Sequence, residues 1–106
     1  MAFGRLGVAS LAANTDTILY TVPTKCRYAE VSVSLLNTNV ADSSIKVAVS
    51  AADVPLANEY IEDGAIVPAS GGIIERSSIV ASPGERIVLT SSLSGVTARV
   101  SGKEIL

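Results

Sequence analysis

The segment Tyr28-Ala29-Glu30-Val31-Ser32-Val33-Ser34-Leu35-Leu36 decides the fold. Ala29, Val31, Val33 and Leu35 fall on one side of an extended chain, while Glu30, Ser32 and Ser34 fall on the other. A two-residue period sustained over that length marks a strand with one face in a core and the other in water. Working outward, the same period recurs between turn residues. Upstream, Thr17 to Val22 puts Ile18, Tyr20 and Val22 on one face and is closed by Pro23; before it, Gly4 to Ala13 places Leu6 and Val8 together, with Leu11 beyond. Downstream, Asn37-Thr38-Asn39 and Asp42-Ser43 form a loop, and Ser44 to Ser50 points Ile45, Val47 and Val49 inward.

The second half is more broken. Ala51 to Asn58, with Pro55, reads as irregular, with room for one turn of helix between Ser50 and Tyr60. Glu59 to Glu62 is a short segment that Asp63-Gly64 is expected to end as a tight turn. Gly71-Gly72 opens a run from Ile73 to Val80. In Ser82-Pro83-Gly84-Glu85, proline fixes φ and glycine takes the positive φ that a turn needs. Arg86 to Ser91 turns Ile87 and Leu89 inward, and after Ser94-Gly95 the last strand lines Val96, Ala98 and Val100 on the core side. About eight short strands at this spacing predict an all-β chain. The expected fold is one antiparallel β-sandwich domain over residues 1–106, jelly-roll or immunoglobulin-like, with residues 1–5 as an N-terminal arm.

Composition bounds the function. The 106 residues are 48% hydrophobic but only 4% aromatic, so the apolar mass is aliphatic and suits a pleated sheet. Charged residues reach only 17%, below the roughly 25% usual for soluble domains, and mean hydropathy is +0.46. No apolar run is long enough for a membrane helix, and the start at Met1-Ala2-Phe3-Gly4-Arg5-Leu6 lacks the layout of a signal peptide. The apolar excess is therefore expected to be covered by protein–protein contact, and Cys26, which alone cannot form an internal disulfide, makes synthesis inside the cell the expectation. Net charge is −2 and the cations are scattered singly, which speaks against nucleic acid as a partner.

Chemistry finds few footholds. There is no histidine, so neither a Ser-His-Asp triad nor a Cys-His pair can be built, and with one cysteine no zinc ligand set exists. Cys26 lies between Lys25 and Arg27 but has no general base beside it in the sequence. Glu59, Glu62 and Asp63 cluster near Asp63-Gly64 at a spacing that matches no cation loop. No catalytic residue, cofactor or metal is expected, and the chain reads as a non-enzyme. Candidate interface residues are Phe3, Tyr28 and Tyr60, as aromatic anchors, and Arg76 and Arg86, whose neighbours Glu75 and Glu85 point to the opposite face of a strand.

Several segments carry a resemblance. Ala13-Asn14-Thr15-Asp16-Thr17-Ile18-Leu19-Tyr20-Thr21-Val22-Pro23 precedes Ala29-Glu30-Val31-Ser32-Val33-Ser34-Leu35-Leu36-Asn37. Asp53-Val54-Pro55, Glu59-Tyr60-Ile61-Glu62, Ile74-Glu75-Arg76-Ser77 and Ser82-Pro83-Gly84-Glu85-Arg86-Ile87 follow. Together they resemble small β-sandwich virion proteins of tailed bacteriophages. Lys25-Cys26-Arg27 departs from that pattern, which would place a glycine-containing turn after Pro23. The resemblance implies a capsid decoration or cement protein, made in the host cytoplasm and carried on the virion. It would be a homo-oligomer, a trimer by preference, seated on the major capsid protein or other virion proteins. A neck, tail or fibre component is the alternative within that class. A carbohydrate- or ligand-binding β-sandwich module is the alternative from another.

Overall fold

A computed structural model of the chain describes residues 3–106, with the side chain of Phe3 outside that description. Eight strands run β1 Phe3–Leu11, β2 Thr17–Thr21, β3 Tyr28–Asn37, β4 Ser43–Ser50, β5 Tyr60–Val67, β6 Gly72–Ala81, β7 Arg86–Ser91 and β8 Val96–Ile105. A single 3-10 turn, Ala57–Glu59, precedes β5, inside the stretch where the sequence leaves room for one. Two four-stranded antiparallel sheets result, in the orders β1-β8-β3-β6 and β2-β7-β4-β5. They form an open sandwich rather than a barrel.

The pairs β1·β8, β2·β7, β3·β6 and β4·β5 make one long ribbon folded over on itself. Only the β4–β5 link stays within a sheet; every other connection crosses between the two. This is the jelly-roll order. An immunoglobulin-like sandwich distributes its strands differently and does not pair the first with the last in this way.

Between the sheets lies the core the alternation predicts. Ala29, Val31, Val33 and Leu35 of β3, Val96, Ala98 and Val100 of β8, Ile45 and Val47 of β4, and Ile87 and Leu89 of β7 are buried. Fully burying a branched aliphatic side chain stabilises by roughly 1.5–3 kcal/mol, so this layer is the main source of stability. The central registers β3·β8 and β4·β7 are uninterrupted. Each of the four edge strands, in contrast, carries an extra residue: Leu6 in β1, Leu19 in β2, Ile61 and Gly64 in β5, and one of Ser77 and Ser78 in β6.

These bulges explain where the strict period fails. Leu19 inserts after Ile18, so Ile18 turns out to solvent while Leu19 and Tyr20 pack on the core. Leu6 inserts likewise, and Leu6 packs inward while Val8 is exposed. Asp63-Gly64 is not a hairpin turn. Gly64, at φ +87°, is a bulge inside a continuous β5, because a glycine at positive φ serves a bulge as readily as a turn. Of the expected N-terminal arm, residues 3–5 are strand, registered on Lys103, Gly102 and Ser101. The turn after Pro23 forms without glycine, the Cys26 amide donating to the Pro23 carbonyl at 3.1 Å, with Cys26 itself buried.

Gly102 is the tightest point of the first sheet. It sits at φ +155°, and a Cβ there would come within 2.1 Å of the Glu30 carbonyl oxygen. At Gly4, its partner in β1, a Cβ would meet nothing within 4 Å. Gly102→Ala is therefore expected to lower unfolding free energy by about 2 kcal/mol or more, and Gly4→Ala by about 1 kcal/mol from its φ alone. Urea unfolding of the two variants checks the difference.

Candidate functional site

Each end of the sandwich gathers one set of loops. At one end, Asn37 is fully buried and acts as the knot. Its Nδ2 donates to the carbonyls of Ala41 (2.9 Å) and Val67 (3.0 Å), and its Oδ1 accepts from the Asn39 amide (3.0 Å). Asn39 Nδ2 then donates to the Ser94 carbonyl (2.9 Å), and Asp42 accepts from the Ala69 amide (2.8 Å). The connections β3–β4, β5–β6 and β7–β8 are thus fastened to one another. On this fastened base Val40 stands 97% exposed.

At the opposite end the long β4–β5 connection is fixed by two charged side chains. Glu59 accepts from the amides of Leu56 (2.7 Å) and Ala51 (3.1 Å) and from Ser50 Oγ (3.1 Å). These donors, led by the Leu56 amide, hold its carboxyl below the usual carboxylate range. Arg86 donates to the Ala51 carbonyl at 2.7 Å and pairs with Asp53 at 2.9 Å. The loop so held buries Pro55, yet leaves Val54 and Leu56 70% and 67% exposed. Both ends therefore present bare aliphatic side chains on backbone that hydrogen bonds hold in place.

Between the sheets near this second end is one polar contact. The Tyr20 hydroxyl, from β2, donates to Glu104 Oε2 of β8 at 2.5 Å. Glu104 is buried and stands opposite the core residue Ala29. Burial and the carboxylate push the Tyr20 hydroxyl well above the ordinary tyrosine range. The pair ties one sheet to the other where the aliphatic layer ends.

The sequence-predicted interface residues do not share one face. Tyr28 begins β3 and points outward from the first sheet. Tyr60 lies on the outer face of the second sheet, in a row Ile18–Val88–Ala48–Tyr60, with Lys46 Nζ 5.6 Å from its ring centre. Arg76 of β6 reaches Glu62 of β5 at 3.3 Å and bridges the two sheets along their open side. Arg86 is taken up by the loop it clamps. Phe3 begins β1, and its side chain lies outside the described residues. The three clustered carboxylates have separate occupations: Glu59 on loop amides, Glu62 on Arg76, and Asp63 on Lys46 at 3.9 Å.

Among the shallow hollows that dent the described surface are three of about 320–330 Å³ each. One lies over Gly4 and Gly102, between Glu30, Lys103 and the Ser77–Ser78 bulge. Another is polar, with Asp16, Lys46 and Thr90, and the third lies along the β6 bulge over Val49 and Ile61. No aromatic ring forms part of any of the three walls. Sequence reasoning missed Val40, Val54, Leu56, Asn37 and Glu104. A signal existed for each: an aliphatic residue among turn formers, or a polar residue at the inward parity of a strand. Comparison with family models, with curated proteins and with solved structures finds no match.

The Tyr20–Glu104 pair and the Glu59 cluster can each be tested. Tyr20→Phe strands the buried Glu104 without its donor and is expected to cost about 1–3 kcal/mol in urea unfolding. In the wild type, stability should fall as pH rises past about 10, because the unfolded chain then releases a tyrosine proton that the fold retains. Tyr20→Phe should lose that slope. At the loop, Glu59→Gln should speed amide exchange at Ala51 and Leu56 with little change in the strands. Acidification should loosen the same two amides as Glu59 takes up a proton, since a carboxyl held low stabilises above its ordinary pKa and loses that contribution below it.

Proposed function

We propose that this chain is a virion structural protein, a decoration or cement subunit of a tailed-phage shell, with no catalytic role. It would be made in the host cytoplasm and carried on the particle surface, with the major capsid protein as its principal partner. One observation carries this reading: the two ends of a body 42 Å long both offer exposed aliphatic side chains, Val40 at one and Val54 and Leu56 at the other, on loops already fixed by hydrogen bonds. Isolated apolar side chains are ordinary on a protein surface. Holding them on fixed loops at opposite poles suits a piece that joins two neighbours, because little entropy is then lost on docking.

Side-chain docking supports the reading better than strand addition does. The bulged edge strands are poor templates for a further strand, so contact through loops and faces is favoured over strand-edge pairing across subunits. A few hundred Å² of apolar contact per copy at about 25 cal/mol per Å² is worth several kcal/mol before association costs. Repetition over a lattice multiplies the effect. The jelly roll is a shape found in capsid proteins, and equally in lectins, so the fold alone favours neither. A sugar-binding role has less behind it, since the hollows lack the aromatic walls on which sugar rings stack.

Quantitative mass spectrometry of purified particles tests the proposal. A ratio near one copy per major capsid subunit supports a cement, a few per hundred moves the chain to the neck, tail or a fibre, and absence from particles overturns the virion reading. On a shell, Val40→Asp and Leu56→Asp should each reduce occupancy at least about tenfold while leaving the circular dichroism spectrum unchanged.

A further inference from the structure

The outer face of the first sheet is sorted by charge. On its β1–β8 half stand Arg5, Arg99 and Lys103; on its β3–β6 half stand Glu30 and Glu75. The core-facing residues of these strands set the direction: Val31, Val33, Val100, Ile79 and Ile74 pack inward, so their neighbours face out. Among the described residues, none of the five charges has an ion-pair partner within the chain; the three pairs present are Lys46–Asp63, Arg76–Glu62 and Arg86–Asp53. Ser32, Ser34, Thr97 and Ser101 lie between the charges. At the margins Val8 on β1, and Ile73 and Val80 on β6, are exposed.

We propose that this face is the surface by which two copies of the chain associate, sheet against sheet, about a two-fold axis parallel to the strands. Such an axis lays the β1–β8 half of one copy over the β3–β6 half of the other and leaves positions along the strands unchanged. Lys103 then opposes Glu30 of the second copy, because the two stand directly opposite each other across the β8–β3 register. Arg99 and Glu75 occupy one cross-strand row through Ser34, so the same rotation brings them into adjacent columns. Each contact occurs twice, as a two-fold requires. A two-fold perpendicular to the strands would instead set cations on cations, and the charge sorting selects against it.

The area is sufficient. Four strands spaced about 4.8 Å apart and about ten residues long give a face on the order of 600 Å². Two copies would bury about 1,200 Å², the lower bound for a specific interface. Small hydroxyl residues along the middle let two flat faces approach, and aligned sheets pack face to face at about 10 Å. The contact differs from the trimer that the sequence resemblance implies, and it stands whether or not the chain is carried on a virion.

Sedimentation velocity of the purified chain at low and high salt tests the pairing, together with two charge-reversed variants. The wild type should be a dimer whose dissociation constant rises at least about tenfold between low and high salt. Glu30→Lys with Glu75→Lys should be monomeric, as should Arg99→Glu with Lys103→Glu, and mixing the two should restore a dimer holding one copy of each. The substituted positions are exposed or partly exposed, and an unchanged circular dichroism spectrum separates lost pairing from lost fold. A wild type that is monomeric or trimeric, a dimer indifferent to both reversals, or reversed variants that fail to pair when mixed would overturn the proposal.

Discussion

A single layer of aliphatic side chains, shut between the β3–β8 pair and the β4–β7 pair, is what the rest of the molecule depends on. The layer tolerates no slip, because moving a strand by one residue would turn its whole apolar set to water. The two central registers are accordingly continuous, and all irregularity is pushed to the four edge strands. The bulges there let a strand bend around the layer while the centre keeps its pairing. Where the aliphatic layer runs out, the bond from Tyr20 to Glu104 continues it by other means. A buried carboxylate is costly unless its oxygens are occupied, so the tyrosine that occupies one of them also fixes the spacing of the sheets at that end.

The surface divides the labour differently. The edges are spoiled as templates for further strands, which keeps a chain with few charges from adding to itself without limit. In the two proposals made above, contact with other molecules falls to elements that end: three exposed aliphatic side chains on fastened loops, and one face whose charges are sorted rather than mixed. On that reading, specific contact and resistance to aggregation belong to different parts of the same sandwich.

Much of this was legible in the sequence wherever the two-residue period is unbroken. Tyr28 to Leu36, Ser44 to Ser50 and the run through Val96, Ala98 and Val100 fall where alternation places them, since in a central strand each residue has one core side and one other. The period misleads at the edges. Ile18 and Val8 are exposed because an inserted leucine shifts the phase beside each; the β2 bulge holds no glycine to mark it, and the glycines Gly4 and Gly7 that flank Leu6 in β1 do not say which residue is inserted. Asp63-Gly64 does leave a mark, but the same dipeptide serves a hairpin and a bulge, and only the pairing of Ala65 with Ile45 and Asp63 with Lys46 separates them. The jelly-roll order was one of two open choices, because strand order is settled by contacts between distant segments. The surface was least legible. Arg86 reads as a free cation until the fold brings Asp53 and the Ala51 carbonyl to it, and Val40 reads as one more aliphatic residue until the loop around it proves polar and tied down.

The pairing of β1 with β8 has a consequence in time as well as in space. Phe3 finds its register only against Lys103, so the first strand made must wait for the last before it has a neighbour. The same holds in nested fashion for β2 with β7 and β3 with β6; only β4 and β5 meet soon after synthesis. Closing such long loops is entropically slow and comes late in folding. During translation the nascent chain therefore carries three unsatisfied apolar strands at once, with only the β4–β5 hairpin able to form early. Folding would spread outward from that hairpin and finish at the edge where the chain began, which makes the interval before β8 is complete the moment at which a chaperone or a partner has most to shield.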